Sequence, residues 1–536
     1  MTFSLKQANT LIVDDFQGMR TMLRDFVRLM GITQIATASN GKDAIGQLNS
    51  AKYDVVICDY NLGPGANGQQ VLEEAKLRNL IGVSTIWVMV TAEKTTDMVM
   101  GAAEVKPDDY LLKPINQVLL QSRLEKLIVR KQSLGVVEAA IKAKDFGAAI
   151  GHCDQLLKEK AVNPQEILRI KSDLLLTMGD YAAAKTLFES VLAVRNIAWA
   201  KTGLGRVLYY AQDHAAAAEL FAQVLQDNRM FVEAADWLAK AYEAMGELAK
   251  AEQVLLDAVK LSPNSPIRQK NLGDAAFKNG SLDLAQTALE KTIKISEFSA
   301  HKNPAVYASL AEVFSEKNSP EEALNVLKRS KVDFRFNSAA ALQTAAAESR
   351  VYQKMGQLDK AEAALASAEQ LVEQMADKIS PELLVEVAKS QFKLGQKDKA
   401  CRLLGQVVKN NHENTELSSQ IEAVFSAENL LQEGQALVKA SRQEVIDINN
   451  QGVMLAKQGH FVEGAKLLRT AVKQFPGSVA MLINLSGLLI GQMSKEGYKE
   501  ALGAEASTLL EHVHELNPAN KKYYAYALVL ARLQRG

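Results

Sequence analysis

The chain is predicted to be α/β followed by all-α: a doubly wound five-stranded parallel sheet over residues 1–125, then an α-solenoid of helical repeats over 126–536. Three observations predict this. Short apolar runs alternate with helical patterns up to residue 116, the sequence form of a parallel sheet covered by helices on both faces. From about Gln117 the strand signals stop and amphipathic helical patterns fill the rest. Through that remainder a turn signal recurs, at first every 33 or 34 residues, which is the period of a helical solenoid. A chain of 536 residues is too long for one core, and the repeats absorb the excess.

Strands are expected near residues 10–14, 34–38, 53–58, 85–90 and 109–112, carried by runs such as Leu11-Ile12-Val13, Val55-Val56-Ile57 and Ile86-Trp87-Val88-Met89-Val90. Apolar residues at helical spacing between Phe16 and Met30 mark the first helix. Another helix, from Asn116 to about Lys131, runs from the sheet domain directly into the repeats.

Polar residues stand at the ends of the apolar runs: Asp14 and Asp15, Asp59, Thr91 and Lys113. In a parallel sheet the carboxyl ends of the strands share one edge, so these five residues are expected in one crevice. Three carboxylates held together repel one another, and oxygen ligands of this kind call for a hard divalent cation such as Mg²⁺. Taken singly, each acidic residue reads as a solvated cap; together, in this order at strand ends, they read as a phosphoryl-transfer site.

The turns of the helical part are Gly179-Asp180, Gln212-Asp213, Gly246-Glu247, Gly280-Ser281, Asn318-Ser319, Gly356-Gln357, Gly395-Gln396 and Gly459-His460. Five residues after the first member comes a small residue, from Ala184 and Ala217 through Ala400 to Gly464; nine after it comes a large apolar one, from Phe188 and Phe221 to Leu468. The small residue lets two helices approach, and the large one fills the gap against the next hairpin. Spacing widens to 38 and 39 residues after Gly280, and the unit around Asn429 reads as degenerate. An earlier unit is centred on Asp145 and Ala149, and the helix Asn520 to Arg535 is expected to cap the array.

This phase, with a small residue seven before the turn (Gly205, Ala239, Gly273) and Pro263 and Pro476 closing two units, resembles the tetratricopeptide repeat (TPR). The first domain resembles the CheY-like receiver domain of two-component response regulators. That resemblance implies a flavodoxin-like strand order 2-1-3-4-5, Asp59 as phosphoacceptor, and Mg²⁺ held by Asp14, Asp15, Asp59 and the backbone carbonyl of Asn61. It also implies that Lys113 pairs with the phosphoryl group across a cis Lys113–Pro114 bond and that Thr91 hydrogen-bonds a phosphoryl oxygen. Tyr110 would be the aromatic switch, and small Ala92 would leave the acceptor approachable. Asn61 and Glu93 stand where a hydrolytic water is positioned, as in quickly dephosphorylating receivers. The loop Asp59 to Gly68, with Gly63 before Pro64, runs one residue longer than is commonest in the family.

In the TPR family the first helix of each hairpin lines the concave face. By phase Trp199, Arg206, Tyr209, Lys240, Lys270 and Phe277 fall at or near groove positions, and aromatic anchors beside charges suit peptide or helix binding. About half of them are expected to serve packing or solubility instead.

Sixty-two basic against 62 acidic residues leave no net charge, which argues against nonspecific nucleic-acid or membrane-surface binding. Cys58, Cys153 and Cys401 match no metal spacing and read as buried thiols of a reducing cytosol. No basic segment followed by an apolar core opens the chain, and the apolar stretch Val479–Met493 is interrupted by Asn484 and Ser486; neither a signal peptide nor a membrane span is expected. Glu322-Ala323-Leu324 and Glu500-Ala501-Leu502 spell a cyclic-dinucleotide phosphodiesterase signature, but Ala323 is in repeat phase and no barrel strands flank it. His512 and His514 lie two apart on a helix, on different faces, and read as surface histidines. The glycine pairs Gly203/Gly205 and Gly63/Gly65 lack the context of a nucleotide loop.

The expected protein is a cytoplasmic response regulator. Asp59 takes a phosphoryl group from a histidine kinase or phosphotransfer protein, and phosphorylation alters what an unidentified protein or peptide finds on the repeats. The only reaction expected is phosphorylation and hydrolysis at Asp59. A rival reading makes it a phosphate sink or inhibitor that docks a histidine kinase or another response regulator.

Overall fold

The structure, a computed structural model, describes residues 5–92, 104–159, 163–375, 379–517 and 520–534. Strands β1 (Thr10–Val13), β2 (Ile35–Ala38), β3 (Val55–Asp59), β4 (Ile86–Thr91) and β5 (Asp109–Leu112) form one parallel sheet in the order β2-β1-β3-β4-β5, the expected order. Between them lie helices α1 (Gln17–Leu29), α2 (Gly41–Ser50) and α3 (Gly68–Leu77). β3 and β4 each run one residue further than expected, so Asp59 and Thr91 are themselves the last strand residues.

Strand periodicity of two sorts the core onto two faces. Ile12, Val55, Ile57, Val88 and Val90 point toward Leu23 and Val27 of α1 and toward Leu120, Leu124 and Ile128. Leu11, Val13, Val56, Cys58 and Met89 point toward Ala44 and Leu48 of α2 and Val71 and Leu72 of α3. Both faces are therefore apolar, as a doubly wound sheet requires.

Asn116 caps the helix Gln117–Lys142 by accepting from the Leu119 N–H. At 26 residues it passes Lys131 without a break. Leu134, Val137 and Ala140 at its far end pack with Ala149 and Cys153 of the next helix, Phe146–Glu159, so the expected 125/126 boundary falls inside one helix. The chain divides into two compact units, Met1–Leu176 with Asp180–Val306, and Tyr307–Gly536 with Thr177–Gly179. The sheet and the repeats up to Val306 thus share a unit.

Ten hairpin turns among the described residues are made the same way. The first turn residue has positive φ, at Gly179, Gly246, Gly280, Gly356, Gly395 and Gly459, and also at Lys144, Gln212, Asn318 and Asn429. The next residue's N–H then reaches back to the carbonyl five positions earlier, from Asp145 N to Ala140 O (2.9 Å) through Glu247 N to Tyr242 O (2.8 Å) to His460 N to Leu455 O (2.9 Å). This is the Schellman closure of a helix. Asn429 belongs to the series, correcting its reading as degenerate: Gly434 and Val438, five and nine residues on, are buried in repeat phase. What differs there is the helix Leu431–Lys457, whose 27 residues join the second helix of one hairpin to the first of the next.

The phase residues are buried where expected: Ala184, Ala217, Ala251, Ala285, Ala323, Ala361 and Ala400 are all fully buried. Their large partners pack in two directions. A Cβ on Gly203, in the following hairpin, would stand 2.3 Å from the Phe188 ring, while one on Gly205 would stand 2.6 Å from Phe221 of its own hairpin. His514 corrects the surface reading: it is buried and stacks on Tyr523 at 4.6 Å between centroids, within the closing layer formed with helix Lys521–Leu533. No helix among the described residues is long and apolar enough to cross a membrane.

Because left-handed backbone strains a residue with a Cβ by about 1–2 kcal/mol, Gly246→Ala, which meets nothing within 4 Å, is expected to lower stability by about 1 kcal/mol. Gln212→Gly is expected to raise it by a similar amount. Thermal and urea unfolding followed by helix signal measure both.

Candidate phosphoryl-transfer site

The carboxyl ends of β1, β3, β4 and β5 deliver Asp14, Asp59, Thr91 and Lys113 to one edge of the sheet. Lys113 Nζ lies 2.8 Å from Asp59 Oδ2 and 3.1 Å from Asp14 Oδ2. Asp14 is fully buried and Asp59 nearly so, while Asp15 is exposed. Ligand oxygens of all three carboxylates lie within 4.8 Å of one another.

The backbone around these groups is tied down. Arg20 Nη1 donates to the carbonyls of Asp14 (2.7 Å) and Asp15 (3.0 Å), and the Phe16 N–H donates to Asp14 Oδ1 (2.8 Å). The Lys113 N–H donates to Thr91 O at 2.8 Å, and the Lys113–Pro114 bond is cis. After Asp59 the loop turns through Gly63 (φ 73°) and Gly65 (φ 110°). It returns so closely that a Cβ on Gly68 would stand 2.1 Å from Asp59 O; only glycine fits. Asn67 and Gln70 then cap α3 reciprocally.

Burial pushes the Asp59 carboxyl above its usual range; the Lys113 ammonium pulls the other way, and Asp14 adds to the rise. For Lys113, burial is outweighed by its bonds to Asp59 and Asp14, so the ammonium is held above its usual value. One cation therefore balances two buried anions, and an exposed third anion stands beside them. Such an all-oxygen, electron-rich set with one accessible side fits a small hard cation, with Asp14, Asp15 and Asp59 as the side chains that would hold it.

Thr91 is buried and Ala92 exposed. Tyr110 is half-buried against the core cluster that contains Cys58 and Val105; burial, then Tyr60 and Cys58, push its phenol up to about 12. The Asn61 side chain accepts from the Gly63 N–H at 3.2 Å, so its oxygen serves the loop turn. Glu93 lies outside the described residues.

The six groove candidates do not act alike. Arg206 and Lys240 lie over the ring of Trp237, at 5.2 and 4.6 Å, and Tyr209 meets the same ring edge-on at 5.6 Å. Trp237, which phase did not single out, is their centre. Trp199 packs edge-on against Phe188 in a core cluster, Lys270 pairs with Asp274 at 2.5 Å, and Phe277 is half-buried. Arg20, Gly68 and Gln70 were also missed. Gly68 could have been suspected from the asparagine cap before it, but nothing local marks the other two.

Removing Lys113 leaves Asp14 and Asp59 buried without a counter-charge, a loss of about 3 kcal/mol for a broken buried pair; Lys113→Ala is expected to destabilise metal-free protein by about that amount. For Asp59, a folded pKa raised above the unfolded one means that ionisation opposes folding, fully above the folded value and not at all below the unfolded one. Asp59→Asn is therefore expected to melt higher than the parent at pH 7 without metal, with the gap closing as pH falls through the raised value toward the ordinary carboxylate range. Calorimetry across that interval measures it.

Comparison with known proteins bears on both parts of the chain. The response regulator receiver domain family matches residues 10–125, and two tetratricopeptide repeat families match residues 202–266 and 382–411. The chemotaxis protein CheY of Pseudomonas aeruginosa is 32% identical over 120 residues, covering 22% of this chain and 95% of that protein. Chemotaxis protein CheY-3 of Vibrio cholerae is 29% identical over 125 residues, covering 23% and 95%. The solved structure of CheY4 of Vibrio cholerae is 26% identical, covers 23% of this chain and 98% of its own, and has a TM-score of 0.21. Through residues 10–125 the chain belongs to the CheY-like receiver family of two-component response regulators, and it continues as tetratricopeptide repeats.

Proposed function

We propose that the protein is a phosphorylation-controlled binding scaffold. In this reading Asp59 accepts a phosphoryl group from the phosphohistidine of a histidine kinase or phosphotransfer protein, and the tetratricopeptide repeats bind a protein or peptide according to the state of Asp59. One observation carries the reading: three carboxylates and Lys113 meet at the carboxyl edge of the sheet, with Lys113 Nζ 2.8 Å from Asp59 Oδ2.

The residues divide the chemistry as follows. An Asp59 carboxylate oxygen attacks phosphorus as the bond from phosphorus to the donor nitrogen breaks, and the histidine leaves with the bonding pair. Mg²⁺, held by Asp14, Asp15, Asp59 and the Asn61 carbonyl, would mask negative charge during the transfer. Lys113, already beside the nucleophile, holds one phosphoryl oxygen, and the Thr91 hydroxyl donates to another. Exposed Ala92 leaves the approach open to the donor. Water later attacks the same phosphorus and returns Asp59 to the carboxylate. No other reaction is assigned to the chain, and a cytoplasmic setting supplies the kinase.

A small acyl phosphate with Mg²⁺ is expected to add one phosphoryl group to the intact protein and none to Asp59→Ala, read by intact mass. Mg²⁺ alone at a hundredfold over its dissociation constant is expected to stabilise the parent by about 2.7 kcal/mol and Asp15→Ala by far less. Phosphorylation at another residue in Asp59→Ala would sink the reading. Inhibition of a kinase's transfer to a second regulator that survives Asp59→Ala would exclude a pure phosphate sink.

A further inference from the structure

The receiver segment just before β5 lies against the first helices of the repeats, within one compact unit. Its contact is a buried arginine. Arg268, in the first turn of helix Pro266–Lys278, is only 4% exposed at its side chain. Its guanidinium grips Asp236 of helix Val232–Ala244 in a two-pronged fork, Nε to Oδ1 at 2.9 Å and Nη2 to Oδ2 at 2.8 Å. The remaining nitrogen, Nη1, donates to Glu104 Oε1 of the receiver at 2.7 Å.

Around this contact the pairing continues: Lys106 Nζ lies 3.7 Å from Glu233 Oε2 on the same helix as Asp236, and Arg130 pairs with both Asp108 and Glu166. The segment is also fastened to the receiver itself, because Lys76 Nζ on α3 donates to the carbonyls of Val105 (2.6 Å) and Lys106 (3.0 Å). Val105 is buried in the cluster against which Tyr110 packs. Glu104 therefore sits one residue from the cluster against which β5 packs, and β5 ends at Leu112, next to Lys113.

A guanidinium presents its donors in a rigid fork matched to carboxylates. Asp236 satisfies one edge permanently, from the repeats' own surface. The second position is filled by a residue from another domain, which leaves when that domain leaves. Were it vacated, Nη1 would be left aimed outward to water, and a carboxylate offered by another chain would replace that water with a charge-assisted bond.

We propose that Glu104 is an internal ligand occupying a carboxylate-recognition position on the first-helix face of the repeats, and that the outside partner is an acidic protein segment whose carboxylate takes its place on Arg268. The occupied position holds the repeats closed to that partner until the 104–108 segment withdraws. Only the timing of withdrawal rests on the proposed phosphorylation of Asp59; the occupancy does not.

Two full-length variants open the position without touching Arg268: Glu104→Gln removes the internal carboxylate, and Lys106→Glu sets like charge against Glu233. The probe is a fluorescent peptide of the internal ligand's own sequence, Glu-Val-Lys-Pro-Asp-Asp-Tyr-Leu-Leu, beside a control with glutamine first. Amide exchange over residues 232–240 and 266–272 is expected to quicken about tenfold in both variants, with the acidic peptide binding them about tenfold more tightly than the parent and the control showing no such gain. Unchanged exchange in both variants, or equal binding of the two peptides, overturns the proposal. If the variants open as expected but beryllofluoride with Mg²⁺ leaves exchange in the parent unchanged, the phosphorylation switch fails and the internal ligand stands. If beryllofluoride quickens exchange there and Glu104→Gln does not, the internal ligand fails and the switch stands.

Discussion

Leu120, Leu124 and Ile128 complete one face of the sheet's core, and Leu134, Val137 and Ala140, on the same unbroken helix, begin the core of the repeats. Each leucine, isoleucine or valine among them stabilises its own core by roughly 1.5–3 kcal/mol when fully buried. Because both sets hang on one hydrogen-bonded rod, neither core can shift along it or turn about it without breaking the other. Polar contacts fix the rod further: Lys131 pairs with Asp54 at 3.0 Å, and Glu138 accepts from the Ser84 N–H at 2.6 Å. Asp54 and Ser84 precede β3 and β4, so the far half of the helix is bolted beneath the amino edge of the sheet. A Cβ on Gly82 would stand 2.3 Å from the Glu138 carboxylate, which is why the loop approaches so closely there.

That fixture leaves the site at the opposite edge of the sheet free to work by charge. Two buried aspartates with one lysine form an unbalanced set, and the imbalance is its chemical capacity: burial raises Asp59 while Lys113 holds it partly down. A fully neutralised cluster would gain little from a cation and would be a poor nucleophile. Lys113 bridges Asp14 and Asp59 without satisfying both, which is the electrostatic condition under which a site can take up further positive charge.

The sheet and this cluster were legible because each depends on short-range regularity. Apolar runs end in charged residues, and a parallel sheet places such ends on one edge whatever the intervening helices do. The repeats were legible for a related reason, since alanine and leucine recur in fixed phase to glycine turns. At Asn429 the phase was lost to inspection although the backbone keeps it, because apolar Leu430 follows it where the other turns place a polar residue. The length of Gln117–Lys142 and of Leu431–Lys457 was hidden as well; an amphipathic pattern does not announce that one helix hands its apolar face from one core to another. Trp237 escaped because Arg206 and Tyr209 reach it from the preceding hairpin, across a sequence distance that only the stacking of hairpins spans, while Lys240 stands three residues along its own helix.

Long-range ion pairs were the least legible, and they differ between the two units in an informative way. In the second unit Arg350 is bridged by Glu312 at 2.6 Å and Glu386 at 2.8 Å, and it also donates to Ser390 Oγ at 3.1 Å. Both carboxylates there come from the repeats, so that arginine is a structural tie whose partners are fixed by the stacking itself. Burial of such a charge is tolerated only when its donors are met with good geometry. Arg268 obeys the same rule with one difference: Asp236 comes from the repeats and Glu104 from the receiver. A position that elsewhere is closed by the array's own side chains is here completed by a residue of the domain that bears Asp59. Without the receiver Asp236 still balances the charge of Arg268, but Nη1 loses its carboxylate acceptor, and whatever moves the segment before β5 acts directly on that hydrogen bond.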